Sequence, residues 1–190
     1  MKKHVRLWAG IVTAIAIILF GIELMLSPMR ANVAAWGMWA VLDTLMVLVT
    51  HRARKKEDPF PFLAAGCAVG SSIVTAALLL HGTWQWGHIE TIALIGAIAA
   101  TIIWLKKGNE AGVLAFVAAI NIAGMPQLFS AFNGDAGTGL WLWIVCACAC
   151  TLTLIAKQGK WTMHNDLFSS AGIVYNGLMI AGILLNMHIN

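Results

Sequence analysis

The chain has 190 residues, is 60% hydrophobic and 11% charged, and has a mean hydropathy of +0.82, which is too apolar for an ordinary soluble domain. Its formal net charge of +4 comes from 12 basic against 8 acidic residues. The basic residues are scattered over short stretches beside apolar runs, which argues against a nucleic-acid partner and for lipid as the solvent.

Residues 7–26 form the first apolar run, behind Lys2, Lys3 and Arg6. A run of about 20 exceeds the ~7–15 apolar residues of a secretory signal core, so a retained helix is expected. Further runs follow at 33–50, 60–80, 86–105, 111–132, 140–156 and 167–187. Each is about 17–22 residues long against the ~20 that a helix needs to cross a bilayer. The expected fold class is therefore an all-α membrane protein with seven transmembrane helices. Threading the chain back and forth puts Lys2, Lys3, Arg6, Arg52, Arg54, Lys55, Lys56, Lys106, Lys107, Lys157 and Lys160 on one face, with Arg30 alone opposite. Cytoplasmic loops carry the excess of Lys and Arg, so the N-terminus is expected in the cytoplasm and the C-terminus outside, in an inner membrane of bacterial type. If any one run failed to span, every later loop would change sides and the asymmetry would collapse.

Sliding the chain on itself by 104 residues superposes the first three runs on the last three without a gap. Lys2 and Lys3 fall on Lys106 and Lys107, Trp39 on Trp143, Lys56 on Lys160 and Leu63 on Leu167. Matching run and loop lengths point to a 3+1+3 arrangement of two parallel triple-helix bundles: 1–82, a linker helix at 83–106, and 107–190. All of it is one integral membrane domain.

Polar groups at mid-depth are costly in hydrocarbon and mark candidate sites. Trp36, Trp39 and Asp43 follow i, i+3, i+7 spacing on one face of the second run. Two rings and an acid on one face suit a pocket that stacks a flat or ring-shaped solute; alternatively the tryptophans belong to the outer aromatic belt and Asp43 pairs with a neighbouring helix. Glu23 lies within a turn of the outer end of its run, within reach of headgroup water. Glu23 or Asp43 could carry a proton during transport, or simply stay protonated. Asn121 and Asn176, near the middle of the fifth and seventh runs, either hold helices together or bind solute. Tyr175, the only tyrosine, reads as a packing or hinge residue. The four cysteines, Cys67, Cys146, Cys148 and Cys150, lack a C-x-x-C pair and read as small filler at helix contacts. His51, His81, His88 and His164 and Trp84, Trp86 and Trp161 read as interfacial, and Glu90 as an acid at a helix start.

Gly124-Met125-Pro126-Gln127, preceded by Asn121, is the sharpest local signal. A proline inside a spanning helix removes a backbone hydrogen bond and crowds the carbonyl four residues back, and the nearby glycine loosens the turn further. With Pro126-Gln127 in the first helix of a triple, the chain resembles the PQ-loop superfamily, which includes the SWEET and SemiSWEET facilitators and, more distantly, nicotinamide riboside transporters. The resemblance implies a carrier whose hinge is Gly124, Pro126 and Gln127. It also implies solute binding by an asparagine of the last helix and nearby tryptophans, here Asn176 and Trp143. The first triple departs from the pattern, because Ile22-Glu23 stands where its Pro-Gln pair would be and Pro28 comes too late. The cytoplasmic N-terminus is also opposite to that of SWEET facilitators, so the solute need not be a sugar.

Lacking a nucleotide loop, catalytic triad or metal cluster, the sequence points to no enzyme, cofactor or metal. The expected function is transport or facilitation of a small polar or ring-containing solute by alternating access, with Trp36, Trp39, Asp43, Asn121, Trp143 and Asn176 binding it. The alternative is a helper or regulatory membrane subunit whose polar residues only pack helices. Expected partners are the solute, the lipid bilayer and, in a homo-oligomer, further copies of the chain.

Overall fold

A computed structural model describes residues 2–26, 33–56, 58, 60–81, 84, 86–133, 139–157 and 161–189. Pro28, Arg30 and Lys160 lie outside the described residues. In lipid a backbone must satisfy its own hydrogen bonds, and long apolar runs do so as helices. Among the described residues seven are present: α1 (Lys2–Leu26), α2 (Val33–Ala53), α3 (Phe62–His81), α4 (His88–Lys107), α5 (Asn109–Asn133), α6 (Leu140–Ile155) and α7 (Met163–Ile189). There is no strand among the described residues. Six helices are long and apolar enough to cross a membrane, and the chain has the character of an integral membrane protein. The exception is α6, whose 16 residues cover only about 24 Å, short of the ~30 Å hydrocarbon core.

Two starts come well before their apolar runs. Helix α1 begins at Lys2 and α7 at Met163, so Arg6 and Asp166 lie within helices. Arg6 is 6% exposed and faces Asp166, not a loop. His164, expected at the interface, is also buried and sits 3.0 Å from Asp58. Apolar periodicity cannot find such positions, because their burial depends on partners far away in sequence.

Helix α1 packs on α3 and α3 on α2, while α5 packs on α7 and α7 on α6. The two groups meet where α1 touches α6 and α2 touches α5, and α4 lies mainly on α5. One core cluster gathers Leu42, Met46, Val49, Val113 and Phe116, a second Phe20, Trp36, Val74, Trp143 and Met179, and a smaller third Ala9, Leu63, Ala149 and Cys150. The other face of α4 leaves Ile92, Ile95, Ile98 and Ile102 exposed, as a lipid-facing helix would. The turn from α4 to α5 is a single residue, Gly108, whose φ of 89° is readily adopted only by glycine. Asn109 ties that turn to α2 by donating from Nδ2 to the Arg52 carbonyl at 3.0 Å and accepting from Trp104 Nε1 at 2.8 Å. At the start of α4, the Glu90 side chain accepts the Gly87 backbone N–H at 2.9 Å, as its position in the sequence suggested.

Small residues let α1 and α3 approach closely: a Cβ added at Gly66 would run into the Gly10 carbonyl, and one at Gly10 into the Phe62 carbonyl. Gly66→Ala should therefore cost about 1–3 kcal/mol by overpacking and lower the thermal unfolding midpoint in detergent. Gly177 has nothing within 4 Å of such a Cβ, so Gly177→Ala should be neutral or slightly stabilising. Equal effects at the two positions would contradict the close approach.

Candidate functional site

Between the helices lies a cavity of about 130 Å³. Cavities near 150 Å³ hold a single benzene ring, so the space suits a one-ring compound. Trp36, Trp39 and Asp43 from α2, Asn121 from α5, Trp143 from α6 and Asn176 from α7 all line it. The i, i+3, i+7 face of α2 thus points inward, and its tryptophans form no outer belt. Trp36 and Trp39 meet edge to face, with ring centroids 5.3 Å apart at 82°. Trp143 meets Tyr175 in the same way, at 5.9 Å and 67°. Both arrangements suit the ring quadrupole and hold the walls stiffly.

The polar groups on this wall are few. Asp43 is buried, and its Oδ2 lies 3.2 Å from the Ser71 hydroxyl. That hydroxyl is also 2.8 Å from the Cys67 carbonyl, and its one proton serves one of the two at a time. No Lys, Arg or His makes an ion pair with Asp43 among the described residues. Asn121 and Asn176 each donate from Nδ2 to the carbonyl one turn back, Val117 at 2.7 Å and Gly172 at 2.6 Å. Each amide is thereby fixed in orientation, and neither Oδ1 accepts a hydrogen bond among the described residues. Trp143 Nε1 is buried with no partner there. Such a donor carries a desolvation cost of about 1–3 kcal/mol unless something in the cavity accepts from it. The wall therefore offers two amide oxygens, a carboxyl group and an indole N–H around a ring-sized apolar space.

Other residues named from the sequence sit apart from this cavity. Glu23 is exposed, and its Oε2 accepts from Trp141 Nε1 at 3.1 Å. Gly124, Pro126 and Gln127 lie within α5, which continues as a helix past the proline. The cavity does reach Gly124 indirectly. Tyr175, which lines it, donates its hydroxyl to the Gly124 carbonyl at 2.8 Å.

Thr13, Tyr175, Cys67, Cys146 and Cys150 line the cavity without having been singled out as binding residues. For two of them a signal existed: Cys146 and Cys150 are four apart and share a helix face, whereas Cys148 between them is exposed. All four thiols are free, and the described residues contain no metal-binding cluster of His, Cys, Asp or Glu. No family model matches the chain, nor does any curated protein or solved structure.

Tyr175→Phe should lower stability by about 1 kcal/mol through the lost bond to Gly124. Gly124→Ala should cost more, about 1–3 kcal/mol, because the new Cβ would fall 2.6 Å from the tyrosine oxygen. An unchanged unfolding midpoint for both variants would contradict the contact.

Proposed function

We propose that the chain is a membrane carrier that moves a small, polar, ring-containing solute by alternating access. The observation that carries this is convergence: six residues from four separate helices, chosen from the sequence by depth, spacing, the 104-residue offset and the family resemblance, line one cavity. In this reading the tryptophan rings flank the solute, Asn121 and Asn176 accept its hydrogen bonds through Oδ1, and Trp143 Nε1 donates one.

Among the described residues Asp43 has no counter-ion in its apolar cavity, and its charge there is costly unless balanced. A proton balances it, and coupling solute movement to that proton gives the residue its role. Glu23 accepts from Trp141 at an exposed position and is the lesser candidate for that role.

Two triples, α1–α3 and α5–α7, with α4 as linker and seven crossings, give the carrier its moving parts in the manner of the PQ-loop superfamily. Exchanging α1, α2 and α3 for α5, α6 and α7 maps the packed pairs α1/α3, α2/α3 and α1/α6 onto α5/α7, α6/α7 and α5/α2, all of them present. Three positions 104 residues apart also line the cavity in pairs: Ile17 and Asn121, Trp39 and Trp143, Cys67 and Ala171. The short α6 crosses beside α1 and α7, on which it packs. With the basic ends in the cytoplasm, rocking of one triple against the other around the turn at Gly124 and Pro126 would open the cavity to each side in turn.

The solute is found first by screening sugars, nucleosides and vitamins for a rise in melting temperature. A ligand at 100 times its Kd stabilises the folded state by about 2.7 kcal/mol. In proteoliposomes, Asn176→Ala should then reduce uptake of that solute roughly tenfold or more, consistent with a loss of about 1.5 kcal/mol of binding. Asp43→Asn should abolish the response of uptake to an imposed pH gradient. Parent-like flux in both variants would leave the cavity as helix packing and favour a helper subunit instead.

A further inference from the structure

We propose that two side-chain contacts at the basic end, the ion pair of Arg6 with Asp166 and the hydrogen-bonded contact of His164 with Asp58, form a latch that closes the cavity toward that face. The proposal rests on the carrier reading. Arg6 Nη2 lies 3.6 Å from Asp166 Oδ1, and His164 Nε2 lies 3.0 Å from Asp58 Oδ2. The first pair joins α1 to α7, two helices that do not pack along each other. The second joins the start of α7 to the α2–α3 connection. Both therefore cross from one triple to the other, at one end only.

Leu63 and Phe168 line the central cavity and also a space of about 20 Å³ beside Arg6, Thr50 and His164. A single layer of apolar side chains thus separates the cavity from the latch. Phe168 lies one turn beyond His164 on the same face of α7, so moving the start of α7 away from α1 would draw this plug out.

The latch is held without being locked. Asp166 Oδ2 accepts the Thr162 N–H at 2.8 Å and Asp58 Oδ2 the Lys55 N–H at 2.8 Å, which fixes both acids. Arg54 donates to the Asp58 carbonyl at 2.8 Å and from Nε to His51 Nδ1 at 3.0 Å. Yet Arg6 Nε, Asp166 Oδ1, His164 Nδ1 and Thr50 Oγ1 are buried with no hydrogen-bond partner among the described residues. For an under-satisfied buried pair, lost hydration offsets much of the attraction. Opening gives these groups water, so the closed state is only slightly preferred.

The native thiols report the latch. In full-length protein carrying Cys148→Ser, Cys67, Cys146 and Cys150 remain in the cavity wall. Their modification by a small, charged, membrane-impermeant methanethiosulfonate is timed in inverted and in right-side-out membrane vesicles. Arg6→Gln and His164→Gln should each raise the rate several-fold from the basic face alone, and the swap Arg6→Asp with Asp166→Arg should restore it toward the parent. Phe168→Ala, which thins the plug and leaves both polar contacts intact, should raise it too and decides the matter where a charge variant fails to fold. Unchanged rates in the folded variants, or equal rises from both faces, would overturn the latch. The readout needs no solute, so a chain that carries nothing can still report a latch, and a failed latch leaves the flux result standing.

Discussion

A carboxyl group held deep among apolar helices is the constraint around which the rest is arranged. Asp43 sits on the buried face of α2, its side chain meets the Ser71 hydroxyl, and no cation answers it among the described residues. Hydrocarbon would penalise that group by several kcal/mol, so its neighbours must make a polar exception within the bundle. They do so by leaving space. The cavity, the unpartnered Trp143 N–H and the open Asn121 and Asn176 oxygens all border the same volume. A bundle selected for stability alone would fill such a volume with side chains.

The walls of this volume come from α1–α3 and α5–α7, and the contacts along the helices differ in kind from those at the basic end. Along α1 and α3 the helices meet through glycine, at distances that leave no room for adjustment. Across the basic end the contacts are polar and incompletely bonded among the described residues. On the proposed carrier reading, tight apolar packing within each triple and looser polar contact between them is what rocking requires. Tyr175 links the cavity to α5, because it lines the first and donates to the Gly124 carbonyl of the second.

Much of the helical layout was legible in the sequence, because run length and hydropathy report directly on what lipid permits. The inward face of α2 was legible too, since Trp36, Trp39 and Asp43 can share a side only at helical spacing. Asn121 and Asn176 were found by depth, and Trp143 by its 104-residue offset from Trp39 and by the family resemblance; all three line the cavity. What escaped was set by contacts between distant segments. His164 lies beside loop residues in sequence, and only the approach of Asp58, 106 residues away, buries it in a pair. Arg6 looked like one more loop cation until α1 proved to begin before its apolar run. The cysteines were read as filler because residues two apart diverge on a helix; Cys146 and Cys150, four apart, needed the opposite inference. Glu23, equal to Asp43 in charge and rarity, was separated from it by position alone.

The claim that this cavity receives the solute is tested most directly by protection of its own thiols. With a solute identified by thermal stabilisation, alkylation of Cys67, Cys146 and Cys150 is followed against that of the exposed Cys148 as solute is raised through saturation. Occupancy of the cavity predicts slower reaction at the three lining thiols, an unchanged rate at Cys148, and loss of that protection in Asn176→Ala. Alkylation of the lining thiols at the same rate with and without saturating solute would contradict the account.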